Sequence, residues 1–270
     1  ITLKIRSLME KKILYLLTCV GLCWSSCTNE VDEFIGNVEP STRSVSTALN
    51  ANLASLFTGG APTLTSAEIK EVNDAYAKMT SINCYRNIDE AVRNKTSYAG
   101  TIFLDDTYAS AYFRKGSLAF PPYGILASSM EHEFIHMYQR DVQGKKVDTD
   151  KEKRDTGMME FELAFYQGII RYIHAGYSWT FKGEDGDPSY QSLWTSGLTD
   201  PSLIPQYERE FQTYVASICA NGKPTSIDIN EFVKWSNIFG EYSRGYSGKG
   251  YKFGNYDYGT SCINSLLKLY

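Results

Sequence analysis

Two of the three histidines in this 270-residue chain, His132 and His136, stand four residues apart, with Glu133 directly after the first. On an α-helix, positions i and i+4 lie one turn apart on a single face, so both imidazoles would point at one ion. Glu133 would then project beside that ion, placed to take a proton from a metal-bound water rather than to bind the metal itself. The chemistry that suits this His-Glu-x-x-His spacing is metal-assisted hydrolysis.

A catalytic zinc site needs a third protein ligand and one position left for water. A ligand set continuing as glycine and a third histidine along the same segment is excluded, because those positions hold Gln139 and Val142. The better candidates lie in Met158-Met159-Glu160-Phe161-Glu162-Leu163-Ala164, a run of strong helix formers after the polar stretch Gln143 to Thr156. Glutamates set among Met, Phe and Leu need a partner for their charge, and a metal would supply one. At 100° per residue Glu160 and Glu162 point about 200° apart, so only one of them can face the ion. His174 lies 14 residues beyond Glu160, which on a continuous helix from Met158 to Ala175 is about 21 Å along the axis. One ion cannot reach both, so His174 reads as an ordinary surface or core histidine.

At these residues the chain resembles the gluzincins, metallopeptidases with His-Glu-x-x-His on one helix and a glutamate ligand on a following helix. The resemblance covers about 40 of the 270 residues. The family's second-helix ligand opens a Glu-aromatic-x-small run. Glu160-Phe161-Glu162-Leu163 is similar to it, apart from Leu163 where a small residue is usual. The resemblance therefore implies Zn²⁺ held by His132, His136 and Glu160, with Glu162 as the alternative ligand, Glu133 as the catalytic base and a peptide or protein as substrate. No acidic residue stands at Ala164 to support the first histidine, so another carboxylate should orient the imidazoles, with Asp200, Asp228 and Asp257 as candidates.

The elements that must position these groups are legible in outline. Ile125 to Asp141 has apolar residues near helical spacing and would carry the motif. Just before it, Lys115 to Pro122 reads as a short strand stopped by two prolines, and it would form the edge of the cleft, open to pairing with a substrate backbone. Ser66 to Met79 and Asn87 to Asn94 read as helices, and Gly100 to Leu104 as a strand ended by the polar turn at Asp105-Asp106. Pro205 to Cys219, Ile227 to Ile238 and Ser261 to Leu269 read as further helices. Between the last two, the Gly/Tyr-rich loop Gly240 to Gly259 is a candidate lining for the cleft. The expected class is α+β, mostly helical, with a small sheet whose edge strand borders the motif helix. The resemblance makes it zincin-like.

The N-terminal region carries a second message. Met9-Glu10-Lys11-Lys12 precedes the apolar run Ile13 to Leu22, which is too short to span a bilayer, and then comes Cys23-Trp24-Ser25-Ser26-Cys27. Residues 9–27 read as a secretory signal starting at Met9, and Cys27 resembles a bacterial lipoprotein lipidation site, apart from Trp24 where leucine is usual. Residues 28–47, acidic at first and then rich in Ser, Thr, Pro and Asn, read as a flexible tether, leaving 48–270 as one folded domain. The acidic start of the tether resembles a surface-export signal of Bacteroidetes lipoproteins. The expected location is thus outside the cytoplasm, at the outer membrane or cell surface, with the lipid anchor as the contact to membrane.

Composition closes off other classes. A net charge of −4 gives no support for nucleic-acid binding, and no glycine motif for cradling phosphate is present. Six cysteines reduce to Cys84, Cys219 and Cys262 once the signal is removed and Cys27 carries lipid, which allows at most one internal disulfide. Two functions fit: a lipid-anchored zinc metallopeptidase, or a zincin-like surface lipoprotein that binds a peptide or glycan without cleaving it.

Overall fold

The fold is built around a helix that is buried along most of its length after Thr156. In this computed structural model, which describes residues 48–145, 149–174, 199–220, 222–243 and 245–270, we number the elements in chain order. Among the described residues three helices come first: α1 (Ala51–Leu56), α2 (Ser66–Ser81) and α3 (Asn83–Lys95). Strands β1 (Ile102–Leu104), β2 (Tyr112–Arg114) and β3 (Ser117–Phe120) follow, then α4 (Ala127–Met137) and α5 (Thr149–His174). The chain ends with α6 (Ile204–Ile218), the short pair β4 (Cys219–Ala220) and β5 (Lys223–Pro224), α7 (Ile229–Tyr242) and α8 (Ser261–Leu267). This is a mostly helical α+β chain with a small sheet. The residues read as signal and tether, Cys27 among them, lie outside the described part. Among the described residues no helix is long and apolar enough to cross a membrane.

Helix α5 is the spine. Phe161, Leu163, Ala164, Phe165, Tyr166, Ile169 and Ile170 are all buried, as expected of a helix enclosed on all sides. The Phe161 ring lies 5.0 Å from Phe232 and 5.6 Å from Phe239 of α7, and Phe165 lies 5.6 Å from Phe211 of α6. On the other flank α4 packs against α2, α3 and α5, with Met130, Phe134, Ile135 and Met137 turned into the core. The opposite stripe of α4 is thereby left to carry His132 and His136 toward α5. Helix α5 begins earlier than its sequence suggests, so much of the polar stretch after Gln143 is its first turns. Helix α2 is stopped at its start by a capping box between Thr65 and Glu68.

The sheet corrects one expectation. Its order is β1-β3-β2, with β3 parallel to β1 and antiparallel to β2. The strand expected to border the cleft is β3, and it is the central, buried one; the edge strand against α4 is β2, a strand not anticipated from sequence. Strands β2 and β3 are joined by Lys115-Gly116, both at positive φ (51° and 77°), the geometry of a type I′ hairpin turn. A two-residue turn pairs Arg114 with Ser117 and Phe113 with Leu118. By the alternation of an antiparallel ladder, Phe113 then presents its N–H and C=O away from β3.

Candidate metal centre

The backbone alternation just described matters because β2 lies against α4 and faces the motif. His132 and His136 are neighbours on one face of α4, with their Nε2 atoms 3.1 Å apart. Glu160, one turn into the buried stretch of α5, meets them: Oε1 is 3.3 Å from His136 Nε2 and Oε2 is 3.7 Å from His132 Nε2. Ligand atoms of all three residues lie within 4.8 Å of one another, close enough for a single ion to sit between them. Two imidazole nitrogens and one carboxylate oxygen are a donor set found in zinc hydrolases, and among the described residues no cysteine joins the group to favour a softer centre. The three side chains line a cleft of about 300 Å³ together with Glu133 and, from β2 and the segment before it, Ala111 and Phe113.

Electrostatics in this pocket divide the ionisable groups by role. Burial, with the neighbouring His136 adding to it, pushes the His132 imidazole down to about 4, so this ring is neutral and ready to ligate. Burial alone would also lower His136, but the Glu160 carboxylate outweighs it and lifts the ring to about 9. Burial alone would raise Glu160; His136, His132 and the Tyr246 hydroxyl together hold it down at about 2. Glu133, 4% exposed, is pushed up to about 7 chiefly by burial, with His136 and, less strongly, the Phe113 backbone amide opposing the rise and the Glu160 charge adding to it. A carboxyl that exchanges its proton near neutrality suits a general base.

No family model, curated protein or solved structure matches this chain. The site therefore stands on its own residues. Among the expected ones, the structure brings His132, His136 and Glu160 together and sets Glu133 beside them. It does not bring Glu162, which is fully buried on the other flank of α5 and accepts hydrogen bonds from Gln139 Nε2 (2.8 Å) and the Tyr258 hydroxyl (2.9 Å). His174 ends α5, with its ring against Tyr270. The carboxylates expected to orient the imidazoles are elsewhere: Asp228 caps α7 and Asp200 caps a turn before α6, while Asp257 lies in the short turn Tyr256–Tyr258. No disulfide joins Cys84, Cys219 and Cys262.

Residues that sequence reasoning did not single out fill the remaining roles. Gln139, three residues past His136, places Oε1 2.8 Å from His136 Nδ1. The Tyr246 hydroxyl, in the Gly/Tyr-rich loop, donates to Glu160 Oε2 at 2.8 Å. Arg140 pairs with Asp141 and lays its guanidinium 4.4 Å from the centroid of the Phe113 ring, which ties the end of the motif helix to the edge strand. Gln139 and Arg140 carry a positional signal, because i+3 and i+4 from His136 share its face. Tyr246 carries none among 20 tyrosines.

Proposed function

We propose that this chain is a zinc-dependent, zincin-like hydrolase of peptide bonds, with His132, His136 and Glu160 holding the ion and Glu133 as the general base. The observation that carries the reading is the convergence of those three donors, with the buried Glu133 carboxyl lining the same cleft. When bound, the ion supplies Lewis acidity, which acidifies water and polarises a carbonyl. Glu133 accepts the proton of the attacking water on its carboxylate and passes it to the leaving amine nitrogen. Phe113 gives its N–H to Glu133 and leaves its carbonyl turned from β3, an acceptor on which a substrate backbone could align at the edge strand.

We further propose that the chain is exported and held at the outer membrane or cell surface through lipid on Cys27, a reading supported by residues 9–27 alone.

The hydrolase reading is tested by Glu133→Gln. The variant should keep its zinc while turnover of an unfolded protein substrate falls by about 10²–10⁴-fold. Zinc-loaded wild-type protein without chelator-sensitive turnover would instead point to a chain that binds a peptide or glycan without cleaving it.

A further inference from the structure

Gln139 is fully buried at the start of a widened turn, Tyr138–Val142, that continues α4. There the Gln143 N–H reaches back five residues to the Tyr138 carbonyl, the π-type spacing that recurs at functional sites. Its amide nitrogen is committed twice, at 2.9 Å from the Met159 carbonyl and 2.8 Å from Glu162 Oε2. An amide nitrogen has two hydrogens, and both are used. The amide cannot be turned over, because Oε1 would then face the Met159 carbonyl oxygen, which has no hydrogen to offer in any protonation state. The orientation of Gln139 is thus fixed by its partners rather than by a choice between two similar atoms.

The consequence falls on His136. Gln139 Oε1 can only accept, so the His136 Nδ1 facing it at 2.8 Å must carry a hydrogen. In the neutral ring the lone pair is then on Nε2, the atom that faces Glu160 and His132. Glu162 secures this arrangement from behind. Its Oε2 also accepts from the Tyr258 hydroxyl, and Lys145 donates to the Tyr258 carbonyl at 2.9 Å while its ammonium lies 3.7 Å from that ring's centroid. A buried carboxyl two residues past Glu160, on the other flank of α5, thus holds the amide that holds the histidine.

We propose that Gln139 and Glu162 are positioning residues that lock His136 as its Nδ1–H form and so aim Nε2 at the metal centre. This rests on the reading of His132, His136 and Glu160 as metal ligands, but the lock itself exists without the ion. Partners of this kind behind a ligating histidine change metal affinity by about 10–100-fold.

The test uses the purified protein labelled with ¹⁵N-histidine, in which only three rings contribute signals, with Gln139→Leu, Glu162→Leu and Glu162→Gln alongside wild type. In the metal-free wild type, His136 should give a slowly exchanging Nδ1–H proton resonance, visible whether or not Nε2 is protonated. Gln139→Leu should abolish it and weaken Zn²⁺ binding, measured by chelator competition, by about 10–100-fold. Glu162→Leu should do the same in milder form, and Glu162→Gln, which keeps an acceptor oxygen, should stay nearer wild type. Thermal melts identify any variant that fails to fold, and Glu162→Gln keeps the comparison open if Glu162→Leu is one of them. An unprotected Nδ1 in wild type, or a protected one in folded Gln139→Leu, overturns the lock. A wild type that shows the protected proton yet binds no Zn²⁺ supports the lock and overturns the metal-centre reading instead.

Discussion

At the residue scale, the four ionisable groups of the site make opposed demands on pH, and their sum is a measurable prediction for the metal-free protein. Glu160 is held down from 4.5 to about 2, so its contribution is present above 4.5 and is lost as pH falls through about 2. His136 is raised from 6.5 to about 9, so its contribution is present below 6.5 and is lost as pH rises through about 9. Glu133, raised to about 7, costs stability as pH climbs from 4.5, whereas His132, lowered to about 4, returns stability as pH climbs to 6.5. These two largely cancel. Chelator-treated protein should therefore be most resistant to urea between about pH 4.5 and 6.5, with losses on both sides, and Glu160→Gln should flatten both slopes. The histidines and Glu133 were legible in the sequence because one helical turn relates them. Gln139 could have been found from the same spacing, but its role depends on Met159 and Glu162, 20 and 23 residues away. The choice between Glu160 and Glu162 needed the packing of α5, since helical geometry says that they diverge without saying which way either points.

At the element scale, the site depends on how closely the Gly/Tyr-rich loop approaches α5. A Cβ at Gly157 would stand 2.8 Å from the Lys252 carbonyl oxygen and 3.2 Å from Tyr251 Cβ, less than one turn before Glu160. The same loop packs Phe253 over Gly240 and Tyr246 beside Phe239, which brings the Tyr246 hydroxyl onto Glu160. Gly157→Ala improves intrinsic helix propensity by about 1 kcal/mol, yet it should lower the melting temperature and weaken Zn²⁺ binding by lifting the loop. A higher melting temperature with unchanged affinity would contradict this role. The helices were broadly legible because their apolar periodicity survives in the sequence. Strand β2 was not, since three residues are too few to show alternation and the Lys115-Gly116 turn lacks the Asn-Gly or Asp-Gly signature of its type. The prolines after Phe120 correctly end a strand, but a strand that stops early is not thereby an edge strand.

At the scale of the whole molecule, the two flanks of α5 divide the work. One face gives Glu160 to the cleft, and the other anchors the buried network of Glu162, Gln139 and Tyr258, so core and site share one helix. The mostly helical class with a small sheet was legible from composition and pattern, whereas the placement of the loop over α5 arises from contacts nearly a hundred residues apart. The proposed anchor is tested on the complete precursor in a Gram-negative host. Wild type should incorporate labelled fatty acid and partition into detergent, and Cys27→Ser should do neither. Equal labelling of the two would remove Cys27 as the lipid site.

The central claim, that His132, His136 and Glu160 share one ion, is tested most directly by zinc stoichiometry and X-ray absorption on the purified protein. The account predicts one zinc per chain, with nitrogen and oxygen ligands at about 2.0–2.2 Å, and loss of that ion in both His136→Ala and Glu160→Ala variants that remain folded. Folded wild-type protein that takes up no zinc, or a folded Glu160→Ala variant that binds it with the same stoichiometry and affinity, would contradict it.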